Sequence, residues 1–255
     1  MALRPPAASA ARWIGMLDST FPGVYPVGRV STAREAQEEL DLRRQKGQPR
    51  AISRRWTAAT MVDAEIVRLI ATLRAAGRYD DTLIVFATDH GESIGIHGGA
   101  LDKGGMAYEE LYRIPMIVKL TRSAQAGTTR EQLVSLIDLA PTSCEAADGA
   151  MTGTDGVSQA PILEDAAAPR REHLVCEDYG HRLPAGSRIL RSGDYKYVLN
   201  AADVDELYDR AVDPHEMHNL VRDPGQAGML NNMRAQLLEH LRATGDNLHP
   251  SGTTC

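Results

Sequence analysis

The stretch that decides the fold reads TLIVFATDHGESIGIHGGALDK and runs from Thr82 to Lys103. It starts with an apolar run at 83–87, which ends in a Thr-Asp-His-Gly turn at 88–91. A short apolar run bounded by turn residues predicts a strand that is buried on both faces. In open α/β sheets, ligands bind beyond the carboxyl ends of the strands. The polar residues after this run are therefore candidates for a functional site.

Composition restricts the class of protein and the kind of partner. The chain has 255 residues, of which 43% are hydrophobic and 24% charged, and its formal net charge is −6. These values predict a globular α/β protein without a nucleic-acid partner, because proteins that bind nucleic acids carry clustered basic residues. An anionic substrate would need a local cation, such as a metal ion or a lysine.

The sequence also predicts where the protein works. No apolar run approaches the roughly 18 residues of a membrane-spanning helix, and none resembles the apolar core of a secretory signal. Three cysteines, Cys144, Cys176 and Cys255, form neither a disulfide framework nor a Cys-x-x-Cys metal pair. We therefore expect a cytoplasmic protein with reduced thiols and no membrane partner.

Residue patterns divide the chain into four predicted parts. Residues 1–55 form an irregular segment rich in proline and glycine. Residues 56–150 alternate helical and strand patterns, as in a sheet with covering helices. A linker at 151–171 precedes a small subdomain at 172–255, where short strands joined by tight turns predict an antiparallel sheet closed by one helix.

Three local patterns give testable details of this division. Apolar residues at helical spacing predict a helix over 57–76, which Gly77 is placed to end. Asp138 is expected to cap the N-terminus of a helix that ends near residue 147. Ser-Gly-Asp at 192–194 predicts a hairpin turn between two strands.

Asp89 and His90 are candidates for a metal site. A carboxylate oxygen and a neutral imidazole can bind the same divalent cation. Adjacent residues on a regular strand point to opposite faces, so the strand must end before both can reach one ion. We expect Gly91 to supply the backbone freedom for this break. The alternative is a turn in which Asp89 caps a backbone amide and His90 is solvated.

Lys103 and His97 lie in the glycine-rich turns that follow. The glycines beside Lys103 let backbone amides approach an anion, to which the ammonium group adds a point charge. The alternative is an ordinary surface lysine in a loop. His97 could contact substrate or could only hydrogen-bond within its loop.

Other polar residues are weaker candidates. Glu109 and Glu110 are expected to be exposed helical glutamates. His215 and His218 are expected to lie in a surface turn. The sequence contains no Walker loop, no Gly-x-Ser-x-Gly, no Gly-x-Gly-x-x-Gly and no His-Glu-x-x-His motif.

Several segments, in this order, resemble the sulfatase family of the alkaline phosphatase superfamily. They are YDDTLIVFATDHGE at 79–92, GIHGG at 95–99, DKGGMAYEELYRIPMIVKL at 102–120 and ELYDRAVDPHEMHNL at 206–220. The resemblance covers roughly 55–245. It implies an α/β fold, here a partial alkaline-phosphatase-like sheet with covering helices followed by a small α+β C-terminal subdomain.

The resemblance also implies roles for the candidate residues. Asp89 and His90 match a metal-ligand pair of the family, usually for calcium, with Mn²⁺ as the alternative. Lys103 matches a catalytic lysine that contacts the sulfate group. His97 matches no assigned role, and its place among the predicted catalytic residues rests on its loop alone. The implied substrate is an anionic sulfate ester. The Asp-His pair also occurs in the family's phosphonate and phosphate monoester hydrolases, so these esters are the alternative.

The sequence departs from the family at the nucleophile. The family uses a cysteine converted to formylglycine, or a serine, in a C/S-x-P/A-x-R motif, and this chain contains no such motif. The paired aspartates and the upstream histidine of the family's site are absent too. We therefore expect a C-terminal fragment of a sulfatase-type hydrolase that is inactive alone and binds metal weakly. A partner chain or self-association would cover its open sheet edge. The alternative is a non-catalytic binding or assembly module that completes a separately encoded half.

Overall fold

A computed structural model describes part of the chain. The described residues are 50–93, 97, 105–121, 126–169, 171–180 and 186–248, with side chains described from residue 58 onward. Lys103 and most of the predicted irregular segment lie outside these residues. The predicted boundaries at 55, 150 and 171 stay predictions. Within the described part, no helix is both long and apolar enough to cross a membrane.

The chain divides into two compact units. One contains the described residues up to Ile84 together with those in Lys119–Thr129. The other contains the described residues of Val85–Val118 and those from Arg130 onward. Asp89, His90, His97 and the C-terminal sheet all lie in the second unit.

Helix α1 (Arg50–Ala75) dominates the first unit and confirms the helix predicted over 57–76. Gly77, with a φ of 65°, follows the helix, as the sequence predicts. The ring of Tyr79 then packs under the Arg74 guanidinium, which lies 4.4 Å from the ring centre. Helix α1 exposes apolar residues, including Val62 and Leu69 at 55% and 57% exposure.

Strands β1 (Ile84–Ala87) and β2 (Met116–Lys119) pair in a two-stranded sheet, and the short helix α2 (Glu109–Tyr112) lies between them in sequence. The strand predicted at 83–87 is thus confirmed. Its predicted burial is not observed, because every residue of both strands is only partly buried. Both strands therefore keep part of their apolar surface exposed to solvent within the described part of the chain.

A second group of helices follows β2. It consists of a 3₁₀ turn (Leu136–Asp138), helix α3 (Leu139–Ala146) and helix α4 (Ala160–Glu164). Helix α4 lies within the stretch that was predicted to be a linker. Helix α3 confirms the helix predicted after residue 138 and ends one residue before the expected position.

Asp138 occupies the N-cap position of α3, but the prediction that its side chain caps this helix is wrong. The carboxylate is buried and accepts two hydrogen bonds of 2.8 Å from Arg171 and one of 2.9 Å from the Val157 amide. Burial alone would raise the pKa of this carboxyl. The hydrogen bonds, above all those from Arg171, outweigh burial and lower the pKa. Asp138 thus binds Val157 and Arg171, which lie 19 and 33 positions away in the sequence.

The C-terminal sheet has four antiparallel strands in sequence order. They are β3 (His173–Asp178), β4 (Ser187–Ser192), β5 (Tyr195–Asn200) and β6 (Glu206–Asp209). Ser192 faces Tyr195 across the predicted hairpin turn, which is therefore confirmed. Helix α5 (Ala227–Thr244) closes the subdomain, as predicted.

The main core of the second unit lies between this sheet and α5. Its buried members are Leu190, Tyr197, Leu199, Leu207, Leu230, Met233, Leu237 and Leu241. A smaller cluster, formed by Ala107, Ile189 and Val198, also contains residues of β4 and β5. Ala107 belongs to the segment just before α2, so the second cluster packs that segment against the sheet.

Helix α2 also contacts the chain just after β1. The amides of Gly91 and Glu92 donate to the carbonyl oxygens of Leu111 and Glu110 at 2.8 and 2.9 Å. A Cβ atom on Gly91 would lie only 1.9 Å from the Glu110 oxygen. The φ of Gly91 lies outside the left-handed region. The expected reason for this glycine was therefore wrong, because close approach of the backbone requires it rather than conformational freedom.

We expect Gly91→Ala to lower the free energy of unfolding by about 1–3 kcal/mol, because the new methyl group forces the two segments apart. Urea denaturation measures this change. Gly105→Ala is the matched control, since a Cβ at Gly105 would have nothing within 4 Å. Equal stability of the two variants would show that the close contact at Gly91 does not exist in solution.

Candidate functional site

Asp89 and His90 follow β1 after a gap of one residue, so the strand has ended before the predicted metal pair. The Asp89 side chain is 85% exposed and the His90 side chain 37% exposed. The His90 amide donates to Asp89 Oδ1 at 3.0 Å. Thus the Asp89 carboxylate does bind a backbone amide, as in the alternative prediction, while its second oxygen stays accessible.

The tautomer of His90 follows from one hydrogen bond. Its Nδ1 lies 2.6 Å from the carbonyl oxygen of Gly91. Because a carbonyl oxygen can only accept, Nδ1 must carry the proton, which leaves a lone pair on Nε2 when the ring is neutral. Second-sphere hydrogen bonds of this kind orient the histidine ligands of metal ions.

The spacing of the two side chains suits a shared cation. His90 Nε2 lies 3.8 Å from Asp89 Oδ2. Two donors of one ion can lie at most about 4.5 Å apart, given metal–ligand distances of about 2.1 Å for nitrogen and about 2.4 Å for oxygen. The donor pair therefore fits one divalent cation. No group of three or more His, Cys, Asp or Glu side chains able to bind a metal occurs in the described part of the chain.

His97 lies in a closed environment. Its side chain is 6% exposed, its φ is 48°, and its ring stacks on Tyr108 with 3.6 Å between ring centres. Its Nε2 lies 3.3 Å from Glu110 Oε2. The other oxygen of Glu110 lies 3.3 Å from Nδ1 of His215. Glu110 thus bridges the two histidines, and it connects the His97 loop to the surface turn after β6.

The prediction that Glu109 and Glu110 are exposed glutamates is wrong. Their side chains are 14% and 24% exposed. Glu109 Oε1 accepts hydrogen bonds from Arg210 at 2.5 Å and from Arg191 at 3.2 Å. The prediction for His215 and His218 is confirmed, since their side chains are 60% and 82% exposed.

Sequence reasoning missed a buried ion pair between Lys196 and Glu216, whose side chains are 3% and 0% exposed. One signal could have revealed it. The observed hairpin, with Gly193 and Asp194 as its turn, places Arg191 directly opposite Lys196, and two like charges at facing positions destabilise a sheet unless carboxylates lie nearby. The sequence thus implied anionic partners for these cations, although not their identity.

An open cleft of about 460 Å³ adjoins these residues. Its lining consists of His97, Tyr108, Asp203, Val204, Glu206, Tyr208, Glu216, Met217 and Asn219. Burial, followed by the carboxylates of Glu206, Glu216 and Glu110, raises the pKa of Tyr108. The cleft therefore presents phenol groups that stay protonated at neutral pH, beside carboxylates.

Two family models match the chain. The model named Sulfatase matches residues 17–150. The model named N-sulphoglucosamine sulphohydrolase, C-terminal, matches residues 95–243. The two overlap in the stretch that contains α2, so the matches run without a break through both the candidate metal pair and the C-terminal sheet.

Individual relatives agree with these matches. N-acetylglucosamine-6-O-sulfatase of Bacteroides thetaiotaomicron is 33% identical over 169 residues, which cover 62% of this chain and 30% of that protein. A protein solved in complex with its substrate D-glucosamine-2-N,6-O-disulfate is 26% identical with a TM-score of 0.70, over 86% of this chain and 47% of that one.

The phosphonate monoester hydrolase of Silicibacter pomeroyi is 28% identical with a TM-score of 0.68, over 95% of this chain and 48% of that one. This chain therefore spans less than half the length of each of the three proteins. The likeness confirms the predicted α/β, alkaline-phosphatase-like fold class. The chain belongs to the sulfatase family.

Proposed function

We propose that this chain is the metal-binding and anion-binding part of a hydrolase that cleaves sulfate monoesters. The observation that carries the proposal is the Asp89–His90 pair, with its donors 3.8 Å apart and Nε2 of His90 left as the accepting nitrogen. Family membership and the sulfatases among its relatives support this reaction class. Because the chain spans less than half the length of these relatives, we propose the reaction for this chain together with polypeptide that would complete the site.

In this proposal Asp89 and His90 hold a divalent cation as two of its ligands. Calcium is the cation that the family resemblance implies, and manganese is the alternative because it accepts imidazole more readily. When bound, the cation would supply positive charge to the oxygens of the ester group. The Gly91 carbonyl keeps His90 in the tautomer that this role needs.

Lys103 is proposed to add a second positive charge at the anion, next to the glycines that follow it. His97 is proposed to act differently from Lys103. Its ring is stacked and enclosed, and its Nε2 faces Glu110, which supports a positioning role for the loop rather than contact with the reacting atoms.

A phosphonate or phosphate monoester is the second candidate substrate. Two observations favour it: the pair is Asp-His, and a phosphonate monoester hydrolase is among the structural neighbours. Titration of the calcium-loaded chain with sulfate and with phenylphosphonate, side by side, discriminates the two. Preference for phenylphosphonate would replace the sulfate ester in the proposal.

We expect the purified chain to bind one Ca²⁺ weakly, with a Kd of about 10⁻⁴–10⁻³ M, because the described residues supply two protein ligands, Asp89 and His90. Isothermal titration calorimetry should show that Asp89→Ala abolishes this binding. Asp80→Ala is the matched control, since Asp80 is an exposed aspartate of the same region outside the pair. Unchanged calcium binding by Asp89→Ala would refute the proposed site.

The chain is also proposed to associate through apolar surface. Strands β1 and β2 are only partly buried, and α1 exposes Val62 and Leu69. Two structural relatives are more than twice as long as the region they share with this chain, and their additional residues could cover the corresponding apolar surface. We propose a separately encoded half as the natural occupant, and a second copy of this chain in its absence.

Sedimentation velocity should therefore show concentration-dependent self-association of the purified chain. Val62→Lys with Leu69→Lys is expected to reduce it, because both side chains are exposed and the charges disfavour an apolar contact. Val212→Lys is the control, since Val212 is 79% exposed and lies in the other unit. A monodisperse monomer that melts cooperatively would contradict this proposal.

A further inference from the structure

A buried charged cluster connects the C-terminal sheet to α2, and the proposed reaction does not use it. The cluster consists of Glu109, Arg191, Lys196, Arg210 and Glu216, all within the second unit. Lys196 and Glu216 are the deepest members, with side chains 3% and 0% exposed. Removing charges from water is costly, so the cluster needs a reason beyond surface solubility.

Two bonds from the cluster end on the backbone just before α2 and at its first residue. Lys196 Nζ donates to the carbonyl oxygen of Ala107 at 2.6 Å and pairs with the Glu216 carboxylate. Glu216 Oε2 accepts a 2.9 Å hydrogen bond from the Glu109 amide. The Lys196–Glu216 ion pair thus binds both the carbonyl oxygen of Ala107 and the amide of Glu109, two groups of the same short segment.

The charge balance makes this attachment specific. Arg191 and Lys196 face each other across β4 and β5, and Arg210 follows β6. The Glu109 carboxylate accepts from both arginines. If α2 moved away, Glu109 would leave with it, and cations would remain close together with one fewer carboxylate. Charge-assisted bonds to fixed partners therefore define one position for α2, which apolar contact alone would not.

From α2 the connection continues to the candidate metal pair. The carbonyl oxygens of Glu110 and Leu111 accept from the amides of Glu92 and Gly91. A Cβ atom built on Gly91 would lie 1.9 Å from the Glu110 oxygen, so the Gly91 backbone packs directly against α2. The Gly91 carbonyl in turn bonds the His90 ring. Movement of α2 would therefore shift the Gly91 carbonyl, which bonds Nδ1 of the proposed ligand His90 and keeps that nitrogen protonated.

The backbone of Glu216 gives an independent indication. Its φ is 55°, a left-handed conformation that is unfavourable for a residue with a Cβ. Such conformations persist where the surroundings require them, and they are concentrated at functional sites. Here the conformation belongs to the residue whose carboxylate accepts from both Lys196 and the α2 backbone.

We propose that Lys196 and Glu216 are positioning residues for Asp89 and His90, which they orient through α2 and the Gly91 backbone. This inference rests on the proposed metal-binding role of that pair. The competing explanation is that the ion pair only stabilises the C-terminal sheet. The two explanations differ in whether site geometry can change while the fold stays intact.

The test uses the double variant Lys196→Met, Glu216→Leu in the full chain. Replacing both members of a buried ion pair by apolar residues of similar volume tends to preserve folding, whereas it removes both bonds to the α2 segment. Hydrogen exchange at the Gly91 and Glu92 amides should become about tenfold faster or more, while amides of β5 keep their protection. Calcium should bind about 10–100-fold more weakly, as when second-sphere residues of metal sites are lost.

Lys119→Met is the matched control. Lys119 Nζ also donates to backbone carbonyls, those of Asp80 and Thr82 at 3.3 and 3.1 Å, but it lies in the first unit. This variant should change neither the exchange at Gly91 and Glu92 nor the calcium affinity. A comparable effect of Lys119→Met on both readouts would overturn the inference.

Wild-type exchange at Gly91 and Glu92 in the folded double variant would also overturn it. If the double variant does not fold, Glu216→Gln replaces it, because the amide keeps the shape while it weakens the pair. We then expect exchange several-fold faster at the same two amides, and unchanged exchange would again refute the proposal. If the wild-type chain binds no calcium, the proposed function fails, while the exchange measurement still decides the positioning role.

Discussion

The contact between Gly91 and the Glu110 carbonyl is the constraint on which the candidate site depends. No Cβ atom fits between the two segments, and two hydrogen bonds join them. The contact makes the end of β1 and the start of α2 one local structure, although about twenty residues of sequence separate them. Asp89 and His90 precede it directly, so their geometry follows from it.

The C-terminal sheet supports this contact from the other side. Its main core with α5 is apolar and deeply buried, which gives the sheet its stability. Its buried ion pair then attaches α2 with directional bonds. A subdomain without a proposed reacting group thus contributes to the site by holding the segment that contacts it.

Local patterns in the sequence predicted much of this architecture. The strand at 83–87, the hairpin at 192–194 and the helix after Asp138 each depend on residues close together in the chain, and the structure contains all three. Interactions between distant residues were missed. Glu109 pairs with arginines 82 and 101 positions away, and Glu216 bonds a residue 107 positions away. Residue spacing carries no information at that range, so the glutamates were predicted to be exposed.

For the candidate site, the sequence predicted a set of residues but not how they are arranged. Asp89 and His90 were predicted from their residue types and from their position just after a strand. The reason for Gly91 and the enclosure of His97 depend on packing against α2, which no local pattern contains. The role of Lys103 rests on the glycines that flank it and on the family resemblance, and it stays a prediction.

The central claim is that this chain carries the metal-binding and anion-binding residues of a sulfatase site without a recognisable nucleophile. Hydrolysis of 4-nitrophenyl sulfate by the purified chain with calcium tests it most directly. Loss of a nucleophile costs about 10³–10⁶ in rate. We therefore predict turnover no higher than that of Asp89→Ala. Robust hydrolysis that Asp89→Ala abolishes would contradict the claim and would require a nucleophile within these 255 residues.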